Sequence, residues 1–421
     1  MVAPEDAAPS PSRAAPVHPP GPGDVAVVVL TFDGRAHLGP CLTSVLGLAG
    51  LAGPSAVIVA DNGSTDDSEA LVRLRFPGVR WDPLGANHGF ADGYDRALAG
   101  LDAEWVLLLN NDARIRPEAL TALCAALQDG GVCAGARQVD WPGKRIDFDG
   151  GGMAFTGHGH ALGHGQRVRG RPAGAPRLTL FASGAAMLVH RPTFLDLGGF
   201  EPRYFAYYED VDFGWRMAVA GLDVVHVPAA VVHHRGGGTA ASLGTGRRAA
   251  LHERNALWSV ARNYGDELLA RALPAALALA AVRAGAPQGV IDTALPPPDA
   301  WPPVPEQGWH GWPVLAPLHL HLPAILASRA RVQSLRRRDD AEVVARFGMP
   351  WAPVPPTAAG WEALRRVADR FGLEVAFGPL GMPAADPLQR VRRAAGMLAA
   401  EGPGGLLREL RAHLAWRRGR R

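Results

Sequence analysis

Three apolar runs, each ending abruptly in polar residues, constrain the fold of this chain more than any other feature. Val25 to Leu30 is β-branched and apolar and ends in Thr31-Phe32-Asp33-Gly34. Ala56 to Ala60 ends in Asp61-Asn62-Gly63-Ser64, and Trp105 to Leu109 ends in Asn110-Asn111-Asp112. Short apolar runs bounded by turn residues read as buried strands. Between them, residues 36–48 carry apolar positions at helical spacing. Ser64-Thr65-Asp66-Asp67 opens a helix through about Leu74, with acidic residues in the first turn where the helix dipole favours them. The loop Leu84 to Gly89 leads into a helix through Leu98, and Pro117 stands near the start of the next one. Strand–helix alternation predicts a parallel sheet wound by right-handed crossovers. It also puts three polar clusters on one sheet edge, where open α/β sheets bind ligands.

The rest of the chain is less regular. Residues 130–180 are rich in Gly, His and Arg and predict loops and short strands. Phe181 to Val189 has core character again. Tyr207-Tyr208-Glu209-Asp210-Val211-Asp212 runs into a helix over Phe213 to Ala220, and Val224 to Val232 reads as a strand ending in His233-His234. Leu268 to Ala284 is an Ala/Leu/Arg helix, residues 285–317 are Pro- and Trp-rich, and Leu406 to Arg421 is a basic amphipathic tail with Trp416. That tail suits either an anionic membrane surface or packing of the C-terminal helices on the preceding domain. The expected organisation is a disordered Pro/Ala-rich leader over 1–23, an α/β domain over 24–265, and a mainly helical region over 266–421 with a linker at 285–317.

Composition narrows the function classes. A length of 421 residues allows two or three domains, and a net charge of +3 carries no strong nucleic-acid footprint. Cys41, Cys124 and Cys133 show no CxxC spacing, so neither a disulfide framework nor a cysteine zinc site is expected and a reducing compartment is favoured. The leader has no apolar h-region. The apolar stretch Leu273 to Val282 contains Pro274 and falls short of the ~20 residues of a spanning helix. The expected location is cytoplasmic, extending to the inner face of the cytoplasmic membrane.

No GxxxxGK[ST] loop, no GxGxxG after the first strand and no GxSxG elbow occurs. His158, His160 and His164 lie in a Gly-rich stretch without a Cys or acidic companion, so loop histidines are favoured over a zinc site. Four signals remain. Asp61 either accepts a hydrogen bond from a nucleoside or caps its own turn. Asp112 either holds a hard cation through oxygen, with Asn110 or Asn111 helping, or ends a solvated turn. Glu209, Asp210 and Asp212 repel one another unless solvated at a helix N-terminus, metal-bound or used. His233 or His234 is either a ligand or a core histidine. Together they suit displacement of a diphosphate: a cation offsets the leaving group's charge, and one general base activates an acceptor hydroxyl.

These residues resemble a known family. Val28-Val29-Leu30-Thr31-Phe32-Asp33, Ala60-Asp61-Asn62-Gly63-Ser64-Thr65-Asp66, Asn87-His88-Gly89-Phe90-Ala91 and Leu109-Asn110-Asn111-Asp112 resemble the nucleotide-sugar half of family 2 glycosyltransferases. Ser183-Gly184-Ala185-Ala186-Met187, Gly198-Gly199-Phe200-Glu201 and Tyr207 to Asp212 resemble the acceptor half, in order. The likeness covers about residues 24–265 and is greatest to the bacterial rhamnosyltransferase-like branch, which builds cell-envelope polysaccharides. It implies a GT-A fold, a Rossmann-like α/β architecture with a mostly parallel mixed sheet, here followed by a helical extension. It also implies an inverting, metal-dependent transfer from a nucleotide diphosphate sugar to a hydroxyl of a glycan or lipid-linked acceptor. In that reading Thr31 and Asp61 contact the nucleoside, Asn87 lies near the donor, and Asn110 and Asn111 shape the donor site. Asp112 binds Mg2+ or Mn2+, Asp210 is the general base, and Glu209 and Asp212 contact the acceptor or support the base. His234, spaced as usual from Gly237-Gly238-Thr239, is preferred over His233 as the metal-side histidine. Arg254-Asn255 matches a family pair of underived role. Three positions depart from the pattern: Asp33 for Asn, Asp92 for Gly, and Asn110 for the first acid of the metal motif. A nucleotidyltransferase, or a non-catalytic sugar-nucleotide-binding scaffold, is the alternative. The first lacks a basic triphosphate loop after Thr31, and the second leaves Asp112 and Asp210 unexplained. The partners implied are a nucleotide sugar, a glycan or lipid-linked acceptor and a peripheral membrane contact, without nucleic acid.

Overall fold

A computed structural model describes residues 17–168, 174–236, 244–284, 315–349 and 358–377. Residues 1–16 of the leader, most of the 285–317 linker, the Gly237–Thr239 segment and the basic tail lie outside the described residues. The first half alternates as its apolar runs require: β1 (Val25–Thr31), α1 (Arg35–Leu46), β2 (Val57–Asp61), α2 (Ser68–Arg75), β3 (Arg80–Pro83), α3 (Gly89–Ala99), β4 (Trp105–Asn110). β5 (Ala113–Ile115), α4 (Ala119–Ala125), β6 (Cys133–Asp140), β7 (Ile146–Phe148), β8 (Gly151–Ala154), β9 (Gly159–Ala161) and β10 (Arg177–Thr179) follow. Then come β11 (Ala186–His190), α5 (Arg191–Asp196), α6 (Glu209–Val219), β12 (Val224–His234) and α7 (Gly244–Asn263). The last elements are α8 (Asp266–Ala284), α9 (Leu315–Ser334), α10 (Asp340–Phe347), β13 (Gly348–Met349), α11 (Ala358–Phe371) and α12 (Leu373–Phe377).

Among the described residues the main sheet runs β10-β12-β6-β11-β4-β1-β2-β3, with β5 added to β12 and β7 to β6. β4, β1, β2 and β3 are parallel, as strand–helix alternation dictates. The other half is mixed: β11 runs antiparallel to both β4 and β6, and β12 returns parallel to β6. The carboxyl ends of β1, β2, β4, β6 and β12 therefore face one edge.

Strand periodicity sorts the core. Val27, Val29, Leu107 and Leu109 point to one face and pack with Leu38, Leu42, Leu120 and Leu123 of α1 and α4. Val28, Leu30, Val106 and Leu108 point to the other and pack with Tyr94, Leu98, Phe194 and Phe213 of α3, α5 and α6. Each fully buried aliphatic contributes ~1.5–3 kcal/mol of transfer free energy, so a one-residue register slip would forfeit both faces together. A third core joins Phe155, Phe181, Val211 and Trp215 to Tyr264, Ala272, Leu279, Val343, Leu364 and Phe377. The described C-terminal helices thus pack against α6 and the β8–β9 hairpin. Arg283 of α8 pairs with Glu253 of α7 at a buried contact. Among the described residues no helix is long and apolar enough to cross a membrane. Cys41, Cys124 and Cys133 are free and buried.

His158 corrects the loop-histidine expectation. It is 2 % exposed, bonds the Thr156 hydroxyl at 2.8 Å and faces Glu253 at 3.6 Å. The turn between β8 and β9 is packed against α7, so this histidine belongs to the core.

Candidate active site

The loops after β1, β2 and β3 lock one another. Asp33, at φ 46°, accepts from the Thr65 and Asp66 amides at 2.7 and 3.3 Å, and its own amide donates to Ser64 Oγ. Asp, like Asn, tolerates the left-handed region, so this departure from the family pattern keeps its job. Asp66 accepts from the first amides of both α1 and α2, Arg35 and Ser68, at 3.0 Å each. The Asn62 side chain spans to the next loop, donating to Gly89 O at 2.8 Å and accepting from His88 N at 3.0 Å. Asp92, the second departure, sits on α3 and pairs with Arg96 at 2.8 Å.

The expected donor-side residues fall into two kinds. Asp61 caps its turn through Ser64 N at 2.9 Å, leaving Oδ2 without a protein partner among the described residues. Asn87 is exposed and accepts from Gly89 N at 2.9 Å. Thr31 and Asn111 are 1 % and 3 % exposed and bond each other at 2.9 Å, over a Gly34 whose Cβ would collide with both. Thr31 therefore faces Asn111 rather than the open edge, and the pair shapes the strand end from beneath.

Asp112 is buried, and its Oδ1 lies 3.3 Å from His234 Nε2, with Asn110 Nδ2 also 3.3 Å from that nitrogen. His234 Nδ1 lies 3.1 Å from Asp147 Oδ2. Burial disfavours the imidazolium, but hydrogen bonds to Asp112 and Asp147 outweigh it and lift His234 to about 9. His233 points the other way, to the Trp141 carbonyl at 3.3 Å. Strand alternation at the end of β12 thus puts His234, and not His233, beside Asp112. Among the described residues no three His, Cys, Asp or Glu side chains converge as a ready metal cage. The pair on the page offers one carboxylate and one imidazole. A divalent cation would take the Asp112 oxygen and, with the His234 proton displaced, the ring nitrogen, keeping its other positions for phosphate and water.

The acidic cluster divides by partner. Asp212 is 0 % exposed; burial would raise its pKa, but the Arg262 and Arg216 guanidiniums at 2.9 and 2.8 Å hold it below the usual range. It anchors α6 from within the core. Glu209 is 5 % exposed, and burial together with the Asp210 charge pushes its carboxyl well up. Asp210 Oδ2 accepts from Gly184 N at 3.0 Å and Oδ1 from Val211 N at 2.8 Å, while burial raises its pKa. Gly184 is next to Ala185, whose carbonyl accepts from Asn110 N at 3.1 Å. Asp210 and the Asn110–Asp112 turn are therefore linked through two adjacent residues.

Arg254-Asn255 acquires a role. Asn255 Nδ2 donates to the carbonyls of Tyr204, Ala206 and Tyr207 at 3.1, 3.0 and 2.7 Å, and Arg254 donates to those of Arg203 and Tyr204. The clamped loop holds Phe205, Tyr207 and Tyr208 at φ 65°, 69° and 69° and delivers the chain to Glu209. The Phe205 carbonyl accepts from the Phe90 and Ala91 amides at the start of α3. Gly89, at φ 77°, must be glycine there, because its Cβ would lie 2.5 Å from that carbonyl oxygen. Asn62, Asp147 and Gly184 had no assigned role in the sequence reading, and the alternation Ile146-Asp147-Phe148 was the available sign that Asp147 faces away from the core.

An α/β sheet whose one edge gathers polar loops, a carboxylate–imidazole pair and a half-buried carboxylate suits a sugar-nucleotide transferase. Residues 26–158 match the profile of Glycosyl transferase family 2, and residues 105–285 match that of Glycosyl transferase family group 2. The chain is 34% identical over 258 residues to the N-acetylglucosaminyl-diphospho-decaprenol L-rhamnosyltransferase of Mycobacterium tuberculosis (strains CDC 1551 / Oshkosh and ATCC 25618 / H37Rv), covering 54% of this chain and 79% of that relative. The chain belongs to glycosyl transferase family 2 and is a rhamnosyltransferase-like glycosyltransferase of the GT-A fold. That class displaces the nucleotidyltransferase and scaffold alternatives. Solved structures are more distant. GalNAc-T7 with UDP, GalNAc and Mn2+ gives a TM-score of 0.48 at 15% identity over 61% of this chain. This chain spans about half (51%) of that one. Mannosyltransferase PcManGT from Pyrobaculum calidifontis in complex with GDP-Man and Mn2+ gives 0.43 at 18% identity over 77% of this chain and 89% of that one.

Proposed function

We propose that this enzyme transfers a sugar, rhamnose by similarity, from a nucleotide diphosphate sugar to a hydroxyl of a lipid-linked diphosphate glycan, with inversion at the anomeric carbon. The observation that carries this is the Asp210–Gly184–Ala185–Asn110 connection, which joins a raised-pKa carboxylate to the Asp112–His234 pair. A base needs access to a proton and a pKa nearer the working pH than a free carboxylate has, and burial of Asp210 moves it that way. The acceptor oxygen gives its proton to Asp210 and bonds to the anomeric carbon as that carbon's bond to the diphosphate oxygen breaks. One base on the face opposite the leaving group completes a single displacement.

Asp61 and Asn87 hold the nucleoside side, with Asn110 beside the diphosphate and Thr31 and Asn111 fixing the strand end. Glu209 supports Asp210. Asp112 and His234 would hold Mg2+ or Mn2+, which offsets diphosphate charge when bound. Residues 24–265 form the transferase unit, and the helices after 266 buttress its acceptor side. The enzyme works at the cytoplasmic face of the membrane, where it meets its acceptor; the relative's printed name, with its decaprenol-linked acceptor, supports this. Asp210→Asn should leave nucleotide-sugar binding intact in calorimetry and cut turnover at least ~100-fold. Turnover near that of the unaltered enzyme would remove Asp210 from the role.

A further inference from the structure

A basic face stands back to back with the Asp112–His234 pair. β5 and β12 pair Arg114 with His233 and Ala113 with His234. Side chains alternate along a strand, so Arg114, Arg116, His233 and Arg235 share the face opposite His234. The turn after β6 adds Trp141 and Lys144. The Arg114 and Arg235 guanidinium carbons each lie 4.2 Å from the Trp141 ring centroid. Arg114 also donates to the Trp141 carbonyl at 3.4 Å.

The acids nearby have partners of their own. Asp140 accepts from the Lys144 and Arg145 amides at 2.6 and 2.9 Å, and Asp147 faces His234 and His164. Among the described residues no carboxylate lies within 4.0 Å of Arg114, Arg116, Lys144 or Arg235. Several other surface arginines are paired, among them Arg73 with Glu69, Arg96 with Asp92 and Arg366 with Glu362. Cations held in order against an indole, without acids to neutralise them, have already paid much of the entropy of meeting an anion.

We propose that the face of Trp141, Arg114, Arg116, Lys144 and Arg235 docks on an anionic lipid surface. Indole suits the lipid–water interface, being apolar in body and polar at one edge. Each cation near an anionic leaflet contributes ~1 kcal/mol, so this set suffices for peripheral, salt-sensitive attachment. The platform adjoins the candidate active site: Arg235 follows His234, and its amide donates to the Asp112 carbonyl at 3.2 Å. Docking there brings that edge to the membrane. The biological purpose of the surface rests on the lipid-linked acceptor read above.

The test is co-sedimentation of the full chain with phosphatidylcholine vesicles, plain or with about a third phosphatidylglycerol. The unaltered protein should bind only the anionic vesicles and leave them at high salt. Arg114→Gln/Arg116→Gln/Lys144→Gln should lose roughly 100-fold in vesicle affinity while turning over a short-chain, water-soluble lipid diphosphate sugar at the unaltered rate. Equal vesicle binding by the triple variant, or none by the unaltered protein, overturns the docking surface. Heparin binding that matches or exceeds anionic vesicle binding also overturns it, as a generic polyanion site. If the short-chain acceptor is used but vesicles are not bound, only the docking inference fails. If vesicles are bound through these residues and no lipid diphosphate sugar is used, only the acceptor reading fails.

Discussion

Asn255→Ala tests whether one buried amide holds Asp210, the proposed general base, in place. Asn255 is 0 % exposed, and its Nδ2 serves three carbonyls. Tyr204 O keeps Arg254 as a second donor, so alanine leaves the carbonyls of Ala206 and Tyr207 without theirs. An orphaned carbonyl costs about 1–3 kcal/mol when fully buried and less in a half-buried loop such as this one. Left-handed backbone at Phe205, Tyr207 and Tyr208 costs roughly 1–2 kcal/mol per residue. The amide therefore offsets strain comparable to its own interactions. Its loss should favour a relaxed loop by ~2–3 kcal/mol, a fall of roughly 30- to 150-fold in the population that presents Asp210 correctly. Steady-state kinetics should show kcat reduced by about that factor. Donor affinity, made by loops on the other side, should move less than about threefold. Asn255→Asp keeps the shape but replaces the donor with an acceptor facing three acceptors, so it should be at least as damaging. Hydrogen exchange over residues 203–210 should accelerate in both. Values of kcat within about threefold of the unaltered enzyme, with exchange unchanged, would refute the reasoning.

Three further expectations follow from the geometry. Asp112→Asn should weaken Mn2+-dependent binding of a nucleoside diphosphate by ~10- to 100-fold in calorimetry, with metal-free binding unchanged. Burial pushes Asp95 from 3.8 up to about 7, despite the hydrogen bond it accepts from Phe200 N. Its stabilising contribution is full below about pH 4 and is lost as pH rises through about 7, by at most ~4 kcal/mol. Asp95→Asn keeps the acceptor, so denaturant unfolding should find it little changed near pH 4 and more stable than the parent near pH 8.5, within roughly that bound. Gly34→Ala places a methyl against Thr31 Oγ1 and Asn111 Nδ2 and should cost about 1–3 kcal/mol in unfolding free energy.

What the sequence made legible was local. β1, β2 and β4 announce themselves because each is a short apolar run closed by turn residues, and the polar ends on their shared edge follow from strand–helix alternation alone. β6 was hidden, because Cys133-Ala134-Gly135-Ala136-Arg137 has the small residues of a strand buried by its neighbours rather than by its own periodicity. Asp147 was hidden for a different reason: its partner, His234, lies 87 residues away. The choice between His233 and His234 was half legible. Counting by twos along the buried positions Val224, Ala230 and Val232 leads to His234, but the irregularity between Val227 and Val231, which the sequence does not announce, interrupts the register. Arg254-Asn255 could be noticed but not interpreted, since its targets are carbonyls of irregular backbone that no side-chain pattern encodes. His158 was misjudged because a Gly-rich stretch was taken as exposed, whereas those glycines allow α6 and α7 to approach closely.

The loop interlock has a consequence for where a diphosphate can rest. Helix N-termini at the carboxyl edge of an α/β sheet ordinarily welcome phosphate, through free amides and the positive end of the dipole. Here Asp66 takes the opening amides of α1 and α2, and the Phe205 carbonyl takes those of α3. All three berths are filled by the protein's own oxygens. In the proposed reaction the diphosphate charge is met instead further along the edge, at β4 and β12. The same contacts that stiffen the loops have moved the anion's seat.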